Sequence, residues 1–172
     1  MGLKLKFPKR FLFLSFCMAL SLLLSVSVVP PAAQAAATSA QQKSVIDMGK
    51  RFLGTPYEWG AKSGSTRTFD CSSFTQYIFK KHGINLARGA RGQSENGTKI
   101  SRKNLRVGDL VFFSTRATMK YSSSSIKRIG HVGIYAGNNK VLHTFGKGGV
   151  KFSDMGSGWW DDHYVSAVRV LK

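Results

Sequence analysis

Outside residues 1–35, this 172-residue chain has one cysteine, Cys71. No internal disulfide can staple residues 36–172, so their fold must rest on a packed apolar core. That length suits one domain and is enough to bury most of its apolar surface. Cys71 lies in Phe69-Asp70-Cys71-Ser72-Ser73-Phe74, where a helical pattern begins. A lone thiol in that position is either a small core side chain or a nucleophile.

Residues 1–35 are set apart by their composition. Lys4, Lys6, Lys9 and Arg10 precede an apolar run from Phe11 to Val29, and Ala33-Gln34-Ala35 supplies the small residues of a cleavage point. This is the pattern of a secretory signal peptide, cut after Ala35. An uncleaved anchor is the competing reading, because the run approaches the ~20 apolar residues that span a bilayer. Cys17 sits inside the run behind bulky Phe16, which argues against lipidation. After cleavage no stable membrane insertion is expected.

The leader holds four of the 26 Lys and Arg and none of the eight acids, which leaves 22 bases against eight acids on the secreted part, about +14. Such a charge suits nucleic acid, an acidic membrane face or a wall rich in phosphate and carboxylate polymers. The export signal argues against nucleic acid, and no helix-turn-helix, zinc-finger or RNA-binding aromatic motif is found. Anionic cell-wall polymers are the expected partners, with solubility alone as the plain alternative.

Residues 36–44 are expected to form a flexible lead-in to a domain over 45–172. Val45, Ile46, Met48, Phe52 and Leu53 recur at helical spacing until Gly54-Thr55-Pro56 stops them. Residues 57–68 read as a loop delivering Asp70 as the cap of a second helix. Cys71, Phe74 and Ile78 line one face of that helix, with Gly83 as its stop. Its N-terminal dipole is expected to favour the Cys71 thiolate. Residues 84–104 read as loop with a short helix near Gln93. Val107–Phe113 is the first clear strand, and a basic Ser-rich loop covers 114–128. Strands follow near 130–136, 140–145, 149–153 and 163–171. Helices first and a strand meander last make an α+β domain, its N-terminal helices packed on an antiparallel C-terminal sheet.

Two strand histidines supply the remaining chemistry. The turn between their strands is Gly- and Asn-rich at 137–139. A three-residue loop there puts His131 and His143 on one face as near or diagonal neighbours; a two-residue loop puts them on opposite faces. With Cys71 as nucleophile, His131 is the expected base and His143 the partner that fixes its tautomer, although the residues alone also allow the reverse. Backbone N–H groups at the start of the Cys71 helix are candidates for an oxyanion hole. Taken singly, each of the three has a packing explanation; their conjunction is what points to catalysis. A Cys–His–His zinc site is the alternative, but these residues lack paired ligand spacing, and no metal or other cofactor is expected. His82 is read as a helix cap, His163 as a strand-edge residue, and Asp109 as a turn residue before a strand.

Gly54-Thr55-Pro56-Tyr57-Glu58-Trp59-Gly60, Phe69-Asp70-Cys71-Ser72, Gly108-Asp109-Leu110-Val111-Phe112-Phe113 and Gly130-His131-Val132-Gly133-Ile134-Tyr135 together resemble the NlpC-type family of bacterial cell-wall cysteine peptidases. The resemblance runs from Val45 to Leu171. It implies a papain-like fold and a thiol endopeptidase that hydrolyses peptidoglycan stem peptides between D-γ-glutamate and a diamino acid. It carries Cys71, His131 and His143 onto the catalytic positions, and Tyr57, Asp70 and Ser72 onto substrate-binding positions. It also implies a secreted, wall-associated enzyme. Ser73, Glu58 and Leu86-Ala87-Arg88-Gly89 depart from the usual family residues. No sugar-binding or SH3-like module precedes the domain, so the basic surface is expected to hold the enzyme on the wall. A papain-like amidase or acyltransferase and a non-catalytic cationic wall-binding protein are the competing readings.

Overall fold

The computed structural model describes Gly2 and residues 31–172. The leader expected over 1–35 therefore lies, apart from Gly2 and the helical backbone of 31–35, outside the described residues. Among those described, no helix is long and apolar enough to cross a membrane. Helix α1 spans Pro31–Lys50, so residues 36–44 are helical rather than a flexible lead-in. The reason lies in their composition: Ala and Gln carry little helix penalty, and Pro is tolerated at a first helical position. Beyond Lys50 the chain leaves the helix in a turn, with Phe52 still half-buried and Leu53 exposed. Val45 and Ile46 are buried. A Cβ on Gly49 would meet Leu142 Cδ2 at 2.5 Å, so this glycine lets the helix approach the sheet closely.

Helix α2, Cys71–Lys81, starts where the sequence places it. Asp70 caps it by accepting from Ser73 N at 2.8 Å, and Ser73 Oγ accepts in return from Asp70 N at 3.0 Å. Ser73 thus completes a reciprocal cap, worth about 1 kcal/mol for the Asp side of it. At the other end His82 is the C-cap and Gly83 takes φ +76°, as a helix stop requires. His82 also bonds Ser44 Oγ at 3.0 Å, tying α2 to α1. Phe52, Phe69, Phe74 and Tyr77 pack edge-on or tilted, at centroid distances of 5.3–5.9 Å, and fix the entry to α2. Such pairs contribute about 0.5–1.5 kcal/mol each beyond area burial.

The rest is a six-stranded sheet in the order β1-β6-β2-β3-β4-β5. The strands are β1 Thr98–Ile100, β2 Leu110–Phe113, β3 His131–Gly137, β4 Lys140–Thr144, β5 Val150–Asp154 and β6 Tyr164–Arg169, and every pairing is antiparallel. Short helices α3, Ala90–Gln93, and α4, Trp159–Asp162, lie in the connections. The α+β expectation is met. Two elements were illegible: β1, a three-residue edge strand whose partner β6 is remote in sequence, and α4, a single turn.

All four residues of β2 are buried because both faces of the sheet are covered. Leu110 and Phe112 share a cluster with Val132, Ile134, Leu142 and the helices. Val111 and Phe113 pack on the opposite face with Val141, Met155 and Ala167.

Candidate active site

Cys71 is the first residue of α2, and its surroundings are set by the cap. Asp70, besides holding Ser73 N, accepts from Ser72 Oγ at 3.0 Å and pairs with both terminal nitrogens of Arg88. Arg88 also donates to Ser72 Oγ and, at 3.0 Å, to Ala61 O. Gln93, fully buried in α3, donates to Ser72 O at 2.9 Å and Ala87 O at 3.0 Å, and accepts from Thr75 Oγ1 at 2.6 Å. The first turn of α2 is therefore clamped from outside the helix. Tyr57 reaches it because its backbone pairs with Phe69 in an isolated parallel bridge.

The two histidines come together through a compensation in the hairpin. The connection is a two-residue turn, Asn138 and Asn139 at φ +48° and +53°, as a tight hairpin with primed geometry demands. Taken alone, a loop of that length would separate the rings. A bulge between Tyr135 and Gly137 shifts the register by one, so Ile134 faces Leu142 and Tyr135 faces Val141. Odd-numbered residues of both strands then share a face, with His131 diagonal to His143. Of the two loop lengths that the sequence left open, the two-residue one forms, and the bulge nevertheless gives the rings the shared face that the three-residue loop would have given. His131 Nε2 lies 2.8 Å from His143 Nδ1, and His143 Nε2 lies 2.8 Å from Ser153 Oγ. Gly133 makes room for this: a Cβ there would stand 2.9 Å from His143 Cβ and 2.4 Å from Val141 Cγ2. Trp160 of α4 closes the rings off, its centroid 4.9 Å from His131 and 4.6 Å from His143.

By strand alternation the rings project to the face that carries Phe113 and Trp160, whereas α2 packs on the other. The two sides meet around the strand end, since His131 opens β3 and Cys71 opens α2. The backbone N–H groups of Val132 and Ser72 face the Cys71 sulfur and favour its ionised form. Cys71 and His131 wall one cavity of about 890 Å³ with Tyr57, Arg88, Arg116 and Trp159. Sulfur and imidazole make no hydrogen bond to each other in this geometry. Asp70 and Ser72 are buried beneath the cavity and reach it through Arg88.

Burial governs the protonation states. It pushes the Cys71 thiol up to about 11, with the Asp70 charge adding and the two backbone N–H groups opposing. Burial and the neighbouring ring hold His131 well below the usual imidazole range, while burial and the Lys151 charge bring His143 to about 3. Desolvation thus opposes the thiolate that the helix dipole was expected to favour, and it opposes the charged form of both rings as well. Tyr57 is likewise raised to about 12, by burial first and then by Cys71 and Asp70.

Residues 54–169 match the NlpC/P60 family. The chain belongs to that family. It is 39% identical over 128 residues to the bifunctional muramidase/DL-endopeptidase CwlT of Bacillus subtilis, covering 74% of this chain and 36% of that protein. It is 38% identical over 130 residues to the murein DD-endopeptidase/murein LD-carboxypeptidase MepS of Escherichia coli, covering 74% of this chain and 62% of that one. A crystal structure of an NlpC/P60 family protein from Bacillus cereus superposes with a TM-score of 0.66 at 32% identity, covering 76% of this chain and 40% of that one. The chain thus spans less than two thirds of the length of these relatives. The papain-like α+β fold that the resemblance implied is borne out.

Within this NlpC/P60 domain, sequence reasoning missed Arg88, Gln93, Ser153 and Trp160. Arg88 was read only as a basic residue of 84–104 within the run Leu86-Ala87-Arg88-Gly89, with no role in the site. The others carry no local pattern that marks them. Asp109 acts as expected before β2, accepting from Arg106 N at 2.7 Å and pairing with Arg169 at 2.8 Å. His163 is the C-cap of α4, stacked 3.7 Å from Trp159, and leads directly into β6. Among the described residues, no three His, Cys, Asp or Glu side chains are grouped as metal ligands.

Proposed function

We propose that this chain is a cysteine endopeptidase that cuts peptidoglycan stem peptides, at the bond between D-γ-glutamate and the diamino acid. The observation that carries the reading is a single cavity walled by the only cysteine of residues 36–172 and by an imidazole that a second imidazole holds at 2.8 Å. In the reaction Cys71 passes its proton to His131 as the sulfur attacks the scissile carbonyl. Backbone N–H groups at the start of α2 receive the oxyanion. The proton then goes to the leaving amine, and water, deprotonated by His131, hydrolyses the thioester and restores the thiol. His143 orients His131 and stabilises its cation.

The cavity wall includes Arg88, Arg91 and Arg116 and no carboxylate. That balance suits a stem peptide, whose glutamate and diamino acid both bear carboxylates. Tyr57 and Arg88 are assigned to substrate contact, with Asp70 and Ser72 holding Arg88 in place. Digestion of purified muropeptides, read by mass spectrometry, tests the assignment: γ-glutamyl cleavage that disappears in Cys71→Ala is expected. The name of the MepS relative supplies the competing outcome, release of monomers by cutting D,D cross-links, which would redirect the reading to another bond. Untouched muropeptides would leave a cationic wall-binding protein.

Residues 1–35 are assigned as the export signal, and the remaining charge of about +14 as the wall anchor. Sedimentation with purified walls should weaken as salt rises; binding unchanged at 1 M salt would exclude a mainly electrostatic anchor.

A further inference from the structure

We propose that Ser153 is a positioning residue that fixes the tautomers of both histidines and so decides whether His131 can act as a base. The proposal rests on His131 being that base. Ser153 stands opposite Val141 in the β4–β5 ladder and His143 stands opposite Lys151, so Ser153 is a diagonal neighbour of His143 on one face. Its Oγ lies 2.8 Å from His143 Nε2, and His143 Nδ1 lies 2.8 Å from His131 Nε2. The three groups form one chain, and each neutral ring carries one proton, so the direction of a single hydrogen bond sets all the others.

Two directions exist. If Ser153 donates to His143 Nε2, the His143 proton sits on Nδ1 and points at His131 Nε2. His131 must then carry its own proton on Nδ1, the nitrogen left for the thiol, and it cannot accept another. If Ser153 instead accepts from His143 Nε2–H, the lone pair of His143 Nδ1 receives His131 Nε2–H, and His131 Nδ1 is free to take the Cys71 proton. Ser153 is half-buried, so its own hydroxyl hydrogen can turn to solvent while a lone pair serves His143. The productive direction therefore leaves no polar hydrogen of the chain unpaired.

Lys151 adds a second constraint. Burial first, and then the Lys151 charge, lower the affinity of His143 for a proton. When Cys71 transfers its proton, the positive charge stays on His131, where the leaving amine can reclaim a proton from it. The relay orients without carrying the proton away.

The test uses the full mature chain with ¹⁵N-labelled histidine and needs no substrate for its main readout. At neutral pH the wild type and Ser153→Thr should show both rings protonated on Nε2. Ser153→Ala should show Nδ1-protonated forms, and its kcat on muropeptides should fall about tenfold or more with little change in KM, because a misplaced proton removes the general base. Rescue by Thr separates orientation from folding. Wild-type His143 protonated on Nδ1, or Ser153→Ala with unchanged tautomers, would overturn the proposal. Unchanged kcat in Ser153→Ala would do the same. Expected tautomers in a wild type that cuts no muropeptide would count against the peptidase reading alone.

Discussion

Cys71 begins α2, but a helix start does not by itself make a thiolate. Its side chain is buried, and the Asp70 carboxylate next to it opposes a second negative charge. The thiol is pushed up to about 11, so at pH 7 the free thiolate fraction is small and rises about tenfold per pH unit. Alkylation by iodoacetamide without substrate should follow that rise through pH 8 and 9. A rate already level at neutral pH would show a resting ion pair instead. Cys71, His131 and His143 were legible in the sequence because a lone cysteine, a helix pattern and alternating strands are local signals. Ser153 and Trp160 were not, since a serine in β5 and a tryptophan in α4 matter only through the rings they meet across the sheet.

At the scale of elements, the hairpin shows how a local rule can miss and its consequence still hold. Asn138 and Asn139 make the two-residue turn that their composition favours, and the bulge before Gly137 restores the face that the turn alone would lose. A bulge depends on the pairing of whole strands and leaves little trace in composition. Gly133 belongs to the same device, because it sits where His143 and Val141 crowd the neighbouring strand. Gly133→Ala should cost about 1–3 kcal/mol in urea unfolding and displace His143. Activity should fall further than stability explains at temperatures where the variant is fully folded. Full activity in the folded variant would mean that the ring position tolerates a shift of the strand. The capped α2 was predicted almost to the residue, while the lead-in proved helical because an Ala- and Gln-rich segment needs no buried face to favour a helix.

For the whole molecule, no disulfide is available to residues 36–172, and two ionisable rings lie inside the core that must hold them together. An α+β order was readable because helical and alternating patterns occupy separate halves of the chain; a covered second face of the sheet was not, because it is built from single side chains such as Met155 and Trp160. Keeping His131 and His143 neutral has a consequence for folding in acid. Both are depressed in the folded state, so the stability tied to their neutrality is complete above the unfolded value near 6.5 and is lost as pH falls toward about 3. Each ring that binds a proton only on unfolding steepens the fall by about 1.4 kcal/mol per pH unit, about 2.7 for the pair. Asp47 and Asp154, also depressed, push in the same direction but are shared by any histidine variant. Urea unfolding of the wild type and of His131→Gln/His143→Gln between pH 6 and 4 isolates the rings. The wild type should lose stability more steeply with acid, and parallel slopes in the two proteins would show that the buried pair takes up no extra protons on unfolding.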